Sequence, residues 1–392
     1  MSFGTLPCEV IDLVVSALCP EAFASLSHAQ YLDRTAQLCV VALVHPRWTR
    51  PAQRVLHRDV WLTEADAGLA RKGRQIARTA ERYGYPTREL MVEGTLAVLV
   101  SVTATTSRAW WRFVTRLEHV DWDTSVDLTV YDHFPLLETL SIACHSCERP
   151  NRSASLSLAH LSRLVFRCEG EFRGLSSLSS APLWSPTSVP RLRHVALEID
   201  GARAWVDLFD PIVRNVETLA VSDELTASAP HPDFLLLRGV ESRPPPPRSL
   251  REVAVSTSFA PEFLVDFLTT TRGYDLAALH VALPSTAVEH DEDDDDPADD
   301  DDEYLNVVIP RLAAIATAGG SGSSSPSPSP SSASFRAKRV VVYGLDRSSL
   351  DEADRGWRGL DAIEWRTADE FPFDSLLSSS SSSSSSSDRT VR

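Results

Sequence analysis

The residues best spaced for chemistry are two cysteines near the middle of the chain. Cys144 and Cys147 are separated by two residues, which is the spacing of half a tetrahedral zinc site. A closed site needs two further ligands, and only His133, His160 and Cys168 lie nearby, at unsuitable or uncertain spacings. The pair also follows a strand-like run, so a strand-to-loop turn that happens to contain two thiols explains the spacing better than a zinc site does. We therefore expect no bound metal and no cofactor.

A run of basic residues offers a second possible chemistry, the binding of phosphate or of an acidic partner. It extends from Arg71 to Arg82. Leu69, Ile76 and Tyr83 recur through it at seven-residue spacing, which indicates a helix with one buried stripe. We interpret the basic residues as the solvated side of that helix.

The acidity of the chain is confined to one segment. The formal net charge is −16, and 12 acidic residues fall between Glu289 and Glu303, which leaves −4 for the remainder. The segment lacks the glycine and the terminal glutamate of an EF-hand loop, so any calcium binding would be weak. A nearly neutral body argues against a nucleic-acid partner.

The composition predicts an intracellular protein without catalytic motifs. We find no nucleotide-binding glycine loop, nucleophile elbow or HExxH motif, and expect no enzymatic activity. Six cysteines without framework spacing indicate reduced thiols in the cytoplasm or nucleus. The first apolar stretch, Val10 to Leu18, is interrupted by Asp12, and no run reaches the roughly 18–20 apolar residues that span a bilayer. We expect no membrane partner.

The elements that would position any site are indicated by a recurring apolar pattern. Each copy has an apolar residue, two variable residues, a second apolar residue, one variable residue and a third apolar residue. The strong copies start 20 to 34 residues apart and are Leu117-Val120-Trp122, Leu137-Leu140-Ile142, Leu161-Leu164-Phe166, Leu192-Val195-Leu197, Val216-Leu219-Val221, Leu250-Val253-Val255 and Leu276-Leu279-Val281. Weaker copies are Thr87-Leu90-Val92, Ala337-Val340-Val342 and Leu360-Ile363-Trp365. The last two apolar positions alternate as in a half-buried strand.

Helical stretches separate many of these copies. We predict them at Glu64 to Arg82, Arg108 to Arg116, Trp205 to Arg214 and Pro261 to Thr271. A strand followed by a helix every 20–35 residues is typical of a leucine-rich-repeat solenoid, whose neighbouring units share a core. The alternative is a non-repetitive α/β domain with evenly spaced strands. In both cases the predicted fold class is α/β, with a small all-α module before it.

The first 60 residues predict that helical module. Pro7 and Glu9 suit the first turn of a helix. Its predicted apolar face comprises Val10, Ile11, Val14 and Leu18. A second helix, Thr35 to Val44, is apolar around nearly its whole circumference, and a third, Pro51 to Leu56, leads into a strand at Val60 to Leu62. A module of about 55 residues cannot cover the second helix by itself, so either the repeat domain or a separate partner must do so.

These residues resemble an F-box, a module of subunits of cullin–RING ubiquitin ligases. The resemblance is carried by Leu6-Pro7-x-Glu9-Val10-Ile11, Leu38, Leu43-Val44, Trp48, Ala52, Leu56 and Val60. The arrangement in this chain, an F-box-like module followed by degenerate leucine-rich repeats, resembles that of fungal F-box proteins. In that family the helices of the F-box bury apolar side chains against the adaptor subunit of the ligase. The resemblance implies that the positions building or contacting the adaptor interface are Leu6, Pro7, Val10, Ile11, Leu43, Val44 and Trp48.

The chain departs from the F-box pattern in two places. Extra residues around Glu21 to Asp33 lengthen the link between the first two helices. His45-Pro46 also replaces the cysteine and basic residue that commonly precede the tryptophan. An unrelated helical cap on the repeat array would share the same apolar helices.

The resulting hypothesis is a non-catalytic substrate-recognition subunit of an SCF-type cullin–RING ubiquitin ligase. Residues 6–62 would dock the adaptor and, through it, cullin, while residues 87–365 would present a strand face to an unidentified client protein. The variable strand positions expected to face the client are His119, Asp121, Arg163, Arg167, His194, Glu198, Glu252 and His280. The alternative is a leucine-rich-repeat interaction scaffold with no ubiquitin-ligase role.

Composition also predicts the domain boundaries. The predicted segments are a helical module at 1–62, a repeat domain at 63–288, an acidic insertion at 289–303, a repeat helix at 304–318, a Gly/Ser/Pro linker at 319–334, final repeats at 335–370 and a serine-rich tail at 371–392. The insertion, the linker and the tail have too few apolar residues to form a core, so we predict that they are disordered.

Overall fold

In the computed structural model the chain forms two compact units. The first comprises residues 1–161 and 188–191, and the second comprises residues 162–187 and 192–392. The residues whose structure is described are 6–18, 23, 26–63, 68–97, 99–100, 110–148, 158–168, 172–173, 189–199, 216–222, 249–256, 275–283, 308–318, 336–345, 359–367 and 370–371. Several predictions lie outside these residues, namely the helices at Trp205 to Arg214 and Pro261 to Thr271, the acidic insertion, the linker, and the tail beyond residue 371.

The first unit begins with the helices α1 (Cys8–Ala17), α2 (His28–Val44) and α3 (Pro46–Arg58). Helix α2 begins at a capping box, in which the Ser27 hydroxyl accepts a hydrogen bond from the Gln30 N–H (3.3 Å) and Gln30 Oε1 accepts one from the Ser27 N–H (2.7 Å). The helix therefore starts earlier than the predicted Thr35. Much of the extra segment between the first two helices is consequently the first part of α2.

The junction between α2 and α3 is a single residue. His45 is extended (φ −159°, ψ 143°), and its Nδ1 accepts a hydrogen bond from the Arg47 N–H (3.2 Å). Pro46 follows as the first residue of α3, where its fixed φ suits the helix and its missing N–H costs nothing. Helix α3 thus starts at Pro46 rather than at the predicted Pro51, and it contains Trp48.

Four parallel strands follow in the first unit, and they pair in chain order. They are β1 (Asp59–Thr63), β2 (Glu89–Glu93), β3 (Arg116–Asp127) and β4 (Thr139–Glu148). Helix α4 (Leu69–Tyr83) lies between β1 and β2 and ends at Gly84, whose φ of 67° closes the helix in the left-handed conformation. This helix overlaps the stretch predicted from Glu64 to Arg82 but starts later, at Leu69. Its arginines Arg71, Arg74, Arg78 and Arg82 are exposed as predicted, whereas Tyr83, predicted to lie in the buried stripe, is exposed as well.

The register of β3 corrects one copy of the apolar pattern. The predicted copy was Leu117-Val120-Trp122, but Trp122 is exposed. The residues buried at the three apolar positions are Val114, Leu117 and His119. His119 therefore takes the place that apolar residues hold in β2 and β4. A search for apolar residues alone misses this histidine, because its side chain is polar. A histidine can nevertheless be buried when its ring nitrogens find hydrogen-bond partners.

A short turn, rather than a helix, precedes β3. The helix predicted at Arg108 to Arg116 is wrong within the described residues, since Trp110–Phe113 forms a 3-10 turn and Arg116 begins the strand. Trp110 and Trp111 are both buried in that turn. So few residues separate them from β3 that the chain must extend at once to enter the sheet.

The second unit is also built on parallel strands. Its strands are β5 (Arg163–Cys168), β6 (Phe172–Arg173), β7 (His194–Ile199), β8 (Thr218–Ser222), β9 (Glu252–Ser256), β10 (Asp275–Leu276), β11 (Ala278–Ala282), β12 (Arg336–Ala337), β13 (Val340–Tyr343) and β14 (Ile363–Arg366). The order of pairing is β5-β7-β8-β9-β11-β13-β14, and β10 pairs separately with β12. Residues 308–318 form helix α5, which lies within the segment 304–318 predicted as a repeat helix.

One backbone hydrogen-bond pattern recurs in both units. The carbonyl that follows the first apolar position of a copy accepts hydrogen bonds from two consecutive N–H groups at the start of the next paired strand. The carbonyls that do so are those of Arg88, Thr115, Ser162, Arg193, Glu217 and Arg251. The apolar pattern of the sequence therefore corresponds to a recurring backbone conformation.

The architecture confirms the predicted α/β class. Parallel strands dominate, and the helical residues described after β1 are those of α4, residues 96–97 and 99–100, and α5. None of the described helices combines the length and the apolar character required to cross a membrane.

Candidate functional site

Helices α1 and α2 each bury one side against α3. The buried core between them is formed by Ile11, Val15, Leu38, Trp48, Ala52 and Val55. Leu6, Val41 and Ala42 pack against this core and are partly buried. Each of the three helices thus contributes apolar residues to a single small core.

The opposite side of α2 is apolar and exposed. Leu43 has 86% of its surface exposed, Val40 has 63% and Val44 has 64%, whereas Leu38 has 2%. The exposed apolar residues that share one side of the helix by their spacing are Leu32, Ala36, Cys39, Val40 and Leu43. Helix α2 therefore has two apolar sides, and within the described structure only the side facing α3 is covered.

Helix α1 is divided in the same way. Ile11 and Val15 are buried, because α3 packs along that side. The exposed apolar residues are Val10, Leu13, Val14 and Leu18, of which Leu13 is the most exposed at 70%. The single apolar face predicted for this helix is therefore split, with Ile11 turned inward and its other members left on the surface.

These two helices hold eight of the twelve large hydrophobic side chains that are exposed in the described part of the chain. We call them the α1 face (Val10, Leu13, Val14 and Leu18) and the α2 face (Leu32, Val40, Leu43 and Val44). Scattered exposed hydrophobic residues are ordinary on protein surfaces, whereas their concentration on two helices that pack against the same third helix makes these helices the candidate interaction site.

The residues predicted to build or contact an adaptor interface fall into two groups. The exposed ones are Pro7, Val10, Leu43 and Val44. The others support the helices from inside, and these are Ile11, Trp48 and the partly buried Leu6. Sequence reasoning missed Leu13 and Val40 as surface residues, although their three- and four-residue spacing from Val10 and Val44 indicated them.

A buried carboxylate fixes α2 and α3 to the first strand. Asp59, at the start of β1, accepts a hydrogen bond from Arg34 Nη2 on α2 (2.6 Å) and another from Arg58 Nε on α3 (2.8 Å). Its side chain is almost fully buried, so its charge is compensated by the two guanidinium groups. This cluster holds the α2 face in a fixed orientation relative to β1.

Two residues predicted to face a client are instead buried in β3. His119 Nδ1 lies 2.8 Å from Tyr131 Oη, and His119 Nε2 lies 2.9 Å from the Gly94 carbonyl oxygen. Asp121 accepts hydrogen bonds from the Thr124 N–H (2.9 Å) and hydroxyl (2.6 Å). Burial lowers the pKa of His119 below its ordinary value and favours the neutral ring. The shifted register of β3 explains the correction, since both side chains point to the core side.

The other residues predicted to face a client share one side of the strands of the second unit. They are Arg163, Arg167, His194, Glu198, Glu252 and His280, and all but His280 are partly exposed. Arg167 pairs with Glu198 (2.9 Å). His280 Nε2 lies 3.1 Å from Glu252 Oε1, and its Nδ1 lies 2.8 Å from Tyr343 Oη. Burial, and secondly the charge of Arg163, lowers the pKa of His194.

A row of small side chains runs between these polar residues, and sequence reasoning overlooked it. Val165, Ala196, Ala220 and Ala254 are aligned across four adjacent strands, and all are buried. We call this set the alanine row. Phe371 packs against it. The signal was present in the sequence as a small residue alternating between two large ones in β7, β8 and β9.

The two cysteines with zinc-site spacing lie inside a strand. Cys144 and Cys147 are buried in β4, which continues to Glu148, so the predicted turn at this point is wrong. In the described ranges, no group of three or more histidine, cysteine, aspartate or glutamate side chains is arranged to hold a metal ion.

No protein-family model matches the chain, and no curated protein matches it. Function is therefore inferred from the geometry of the chain itself.

Proposed function

We propose that this chain is a non-catalytic substrate-recognition subunit of an SCF-type cullin–RING ubiquitin ligase. In this proposal α1, α2 and α3 form an F-box that docks the ligase adaptor and, through it, cullin. The observation that carries the proposal is the presence of the α1 face and the α2 face on a module whose own core is already complete. Such a subunit would act in the cytoplasm or the nucleus.

The size of the two faces suits a stable complex. Burial of one leucine or valine side chain contributes about 1.5–3 kcal/mol. Association itself costs about 4–15 kcal/mol, which is similar to what burial of the four side chains of one face would contribute. We therefore expect both faces to contribute to a stable complex, in agreement with the F-box resemblance in both helices.

The remainder of the chain would capture the client. The recurring apolar pattern and the recurring backbone hydrogen bonds support a leucine-rich-repeat-like array of parallel strands. Catalysis of ubiquitin transfer would then depend on proximity, because the subunit raises the effective concentration of a client lysine near the charged conjugating enzyme.

The test is a pull-down of the intact chain by the purified adaptor subunit. The disrupting variant is Val40→Lys/Leu43→Lys, because both residues are exposed and a cation near the carboxyl end of α2 does not oppose the helix dipole. The control is Phe113→Lys, which places one lysine on an exposed hydrophobic residue outside the two helices. Circular dichroism checks the fold of each variant.

We expect the adaptor to retain the intact chain and the Phe113→Lys control but not the double variant. Equal retention of all three would place the contact elsewhere. A folded intact chain that does not bind the adaptor would refute the ligase proposal, and the repeat scaffold without a ligase role would then account better for the chain.

A further inference from the structure

The alanine row is covered, although its side chains are too small to cover one another. Ala196, Ala220 and Ala254 have no exposed surface at all. Side chains on adjacent strands shield the flanks of an alanine but not the surface that points away from the sheet. Side chains from outside these strands must therefore lie over this side of the sheet.

Phe371 is the described residue that takes this position. Strand β14 ends at Arg366, and the Glu370 N–H donates a hydrogen bond to the Thr367 carbonyl (3.2 Å), so the chain turns. The ring of Phe371 then meets the ring of Tyr343 edge-on, with centroids 5.3 Å apart and an angle of 87° between planes. Phe371 packs against the alanine row and also against a second cluster formed by Ala282, Val341 and Tyr343.

The two clusters form a seat for an aromatic ring. The nearest strands of the two clusters, β9 with Ala254 and β11 with Ala282, are directly paired. Tyr343 lies one strand further, on β13, so it is two strand spacings, roughly 10 Å, from β9. Small side chains on β9 leave depth on one side, and the Tyr343 ring provides an aromatic wall on the other. His280, on the intervening β11, keeps both ring nitrogens occupied by Tyr343 and Glu252, so it presents no unpaired polar atom to a ring.

We propose that this seat binds an aromatic side chain of an extended client peptide, and that Phe371 occupies it in the free chain. This inference rests on the proposed function, which supplies a client. The polar residues predicted to face a client lie on the same side of the strands and would contact the peptide on either side of its aromatic anchor. Because Phe371 is tethered, its effective concentration is on the order of millimolar, and a client must compete with it.

The test uses a fluorescein-labelled peptide with the sequence of residues 367–377, Thr-Ala-Asp-Glu-Phe-Pro-Phe-Asp-Ser-Leu-Leu. Fluorescence anisotropy measures its binding to the intact chain and to the Phe371→Ala chain. We expect at least about tenfold tighter binding to the variant, because its seat is vacant. A peptide with alanine at the position of Phe371 should not bind, and a Phe113→Ala chain should behave as the intact chain does.

A second variant tests whether the peptide binds in the emptied seat or binds because the Phe371→Ala chain is generally less well packed. In the Phe371→Ala/Ala220→Leu chain a larger side chain fills the alanine row, and we expect the peptide to lose its binding while circular dichroism stays unchanged. Equal binding to the intact and Phe371→Ala chains, or no binding to a folded Phe371→Ala chain, would overturn the proposal. Unfolding of the Phe371→Ala chain would also overturn it, since Phe371 would then be a core residue.

Adaptor binding is measured on the same variants, and the two proposals can fail separately. If the ligase proposal is wrong, the intact chain should not bind the adaptor, while the Phe371→Ala chain should still bind the peptide. If the seat proposal is wrong, adaptor binding should be normal, while Phe371→Ala should not change the affinity for the peptide.

Discussion

The same substitution should destabilise the chain strongly at one leucine of α2 and hardly at all at another leucine five positions away. Leu38 is 2% exposed and packs in the core with Ile11 and Trp48, whereas Leu43 is 86% exposed. A buried Leu→Ala change removes the transfer free energy and leaves a cavity, which costs about 2–5 kcal/mol. An exposed Leu→Ala change stays within about 0.5 kcal/mol.

Hydrogen exchange measured by mass spectrometry on peptides from residues 28–44 reports the local stability of α2. A loss of about 3 kcal/mol in Leu38→Ala accelerates exchange through opening of the helix on the order of a hundredfold. In Leu43→Ala the rates should stay within a few-fold of the intact chain. Equal acceleration in the two variants would refute the claim that the chain itself covers only one side of α2.

Further predictions concern His119, Arg34 and Gly359. His119→Leu should lower the free energy of unfolding by about 2 kcal/mol or more in urea titrations, because two buried hydrogen bonds are lost. Burial lowers the pKa of His119, so the unfolded chain binds its proton first, and the intact chain should lose stability as the pH falls below about 6.5, more steeply than His119→Leu does. Arg34→Met should cost about 1–3 kcal/mol by removing one of the two cations that compensate Asp59, and Arg34→Lys should restore part of it. Gly359→Ala should cost about 1–3 kcal/mol in thermal unfolding, because φ is +86° and the new Cβ would lie 2.8 Å from Thr317 Cγ2; Thr317→Ser should relieve only the contact.

The sequence predicted the strands better than it predicted the surfaces between them. Apolar spacing located most of the longer strands, since each one must bury alternate side chains. It misplaced β3 because His119 fills a core position, and its burial depends on Tyr131 and Gly94, which no local pattern reveals. The start of α2 could have been predicted from Ser27 and Gln30, because a serine followed three residues later by a glutamine is the sequence pattern of a capping box.

The candidate site was predictable in part. The apolar circumference of α2 indicated that more than one partner covers it, and Leu38 and Leu43 occupy its two sides as that argument requires. Which side faces α3 could not be derived, because it depends on how Trp48 packs. The position of Phe371 on the alanine row could not be derived either, since it depends on a turn after the last strand.

The most direct test of the central claim is a calorimetric titration of the purified adaptor subunit into the intact chain and into Val40→Lys/Leu43→Lys. The proposal predicts one adaptor per chain, with a negative heat-capacity change from burial of apolar surface. Removal of two exposed side chains worth about 1.5 kcal/mol or more each should weaken the double variant by about a hundredfold or more. No heat of binding from a folded intact chain, or equal affinity of the two proteins, would contradict the assignment of the α1 and α2 faces to the adaptor.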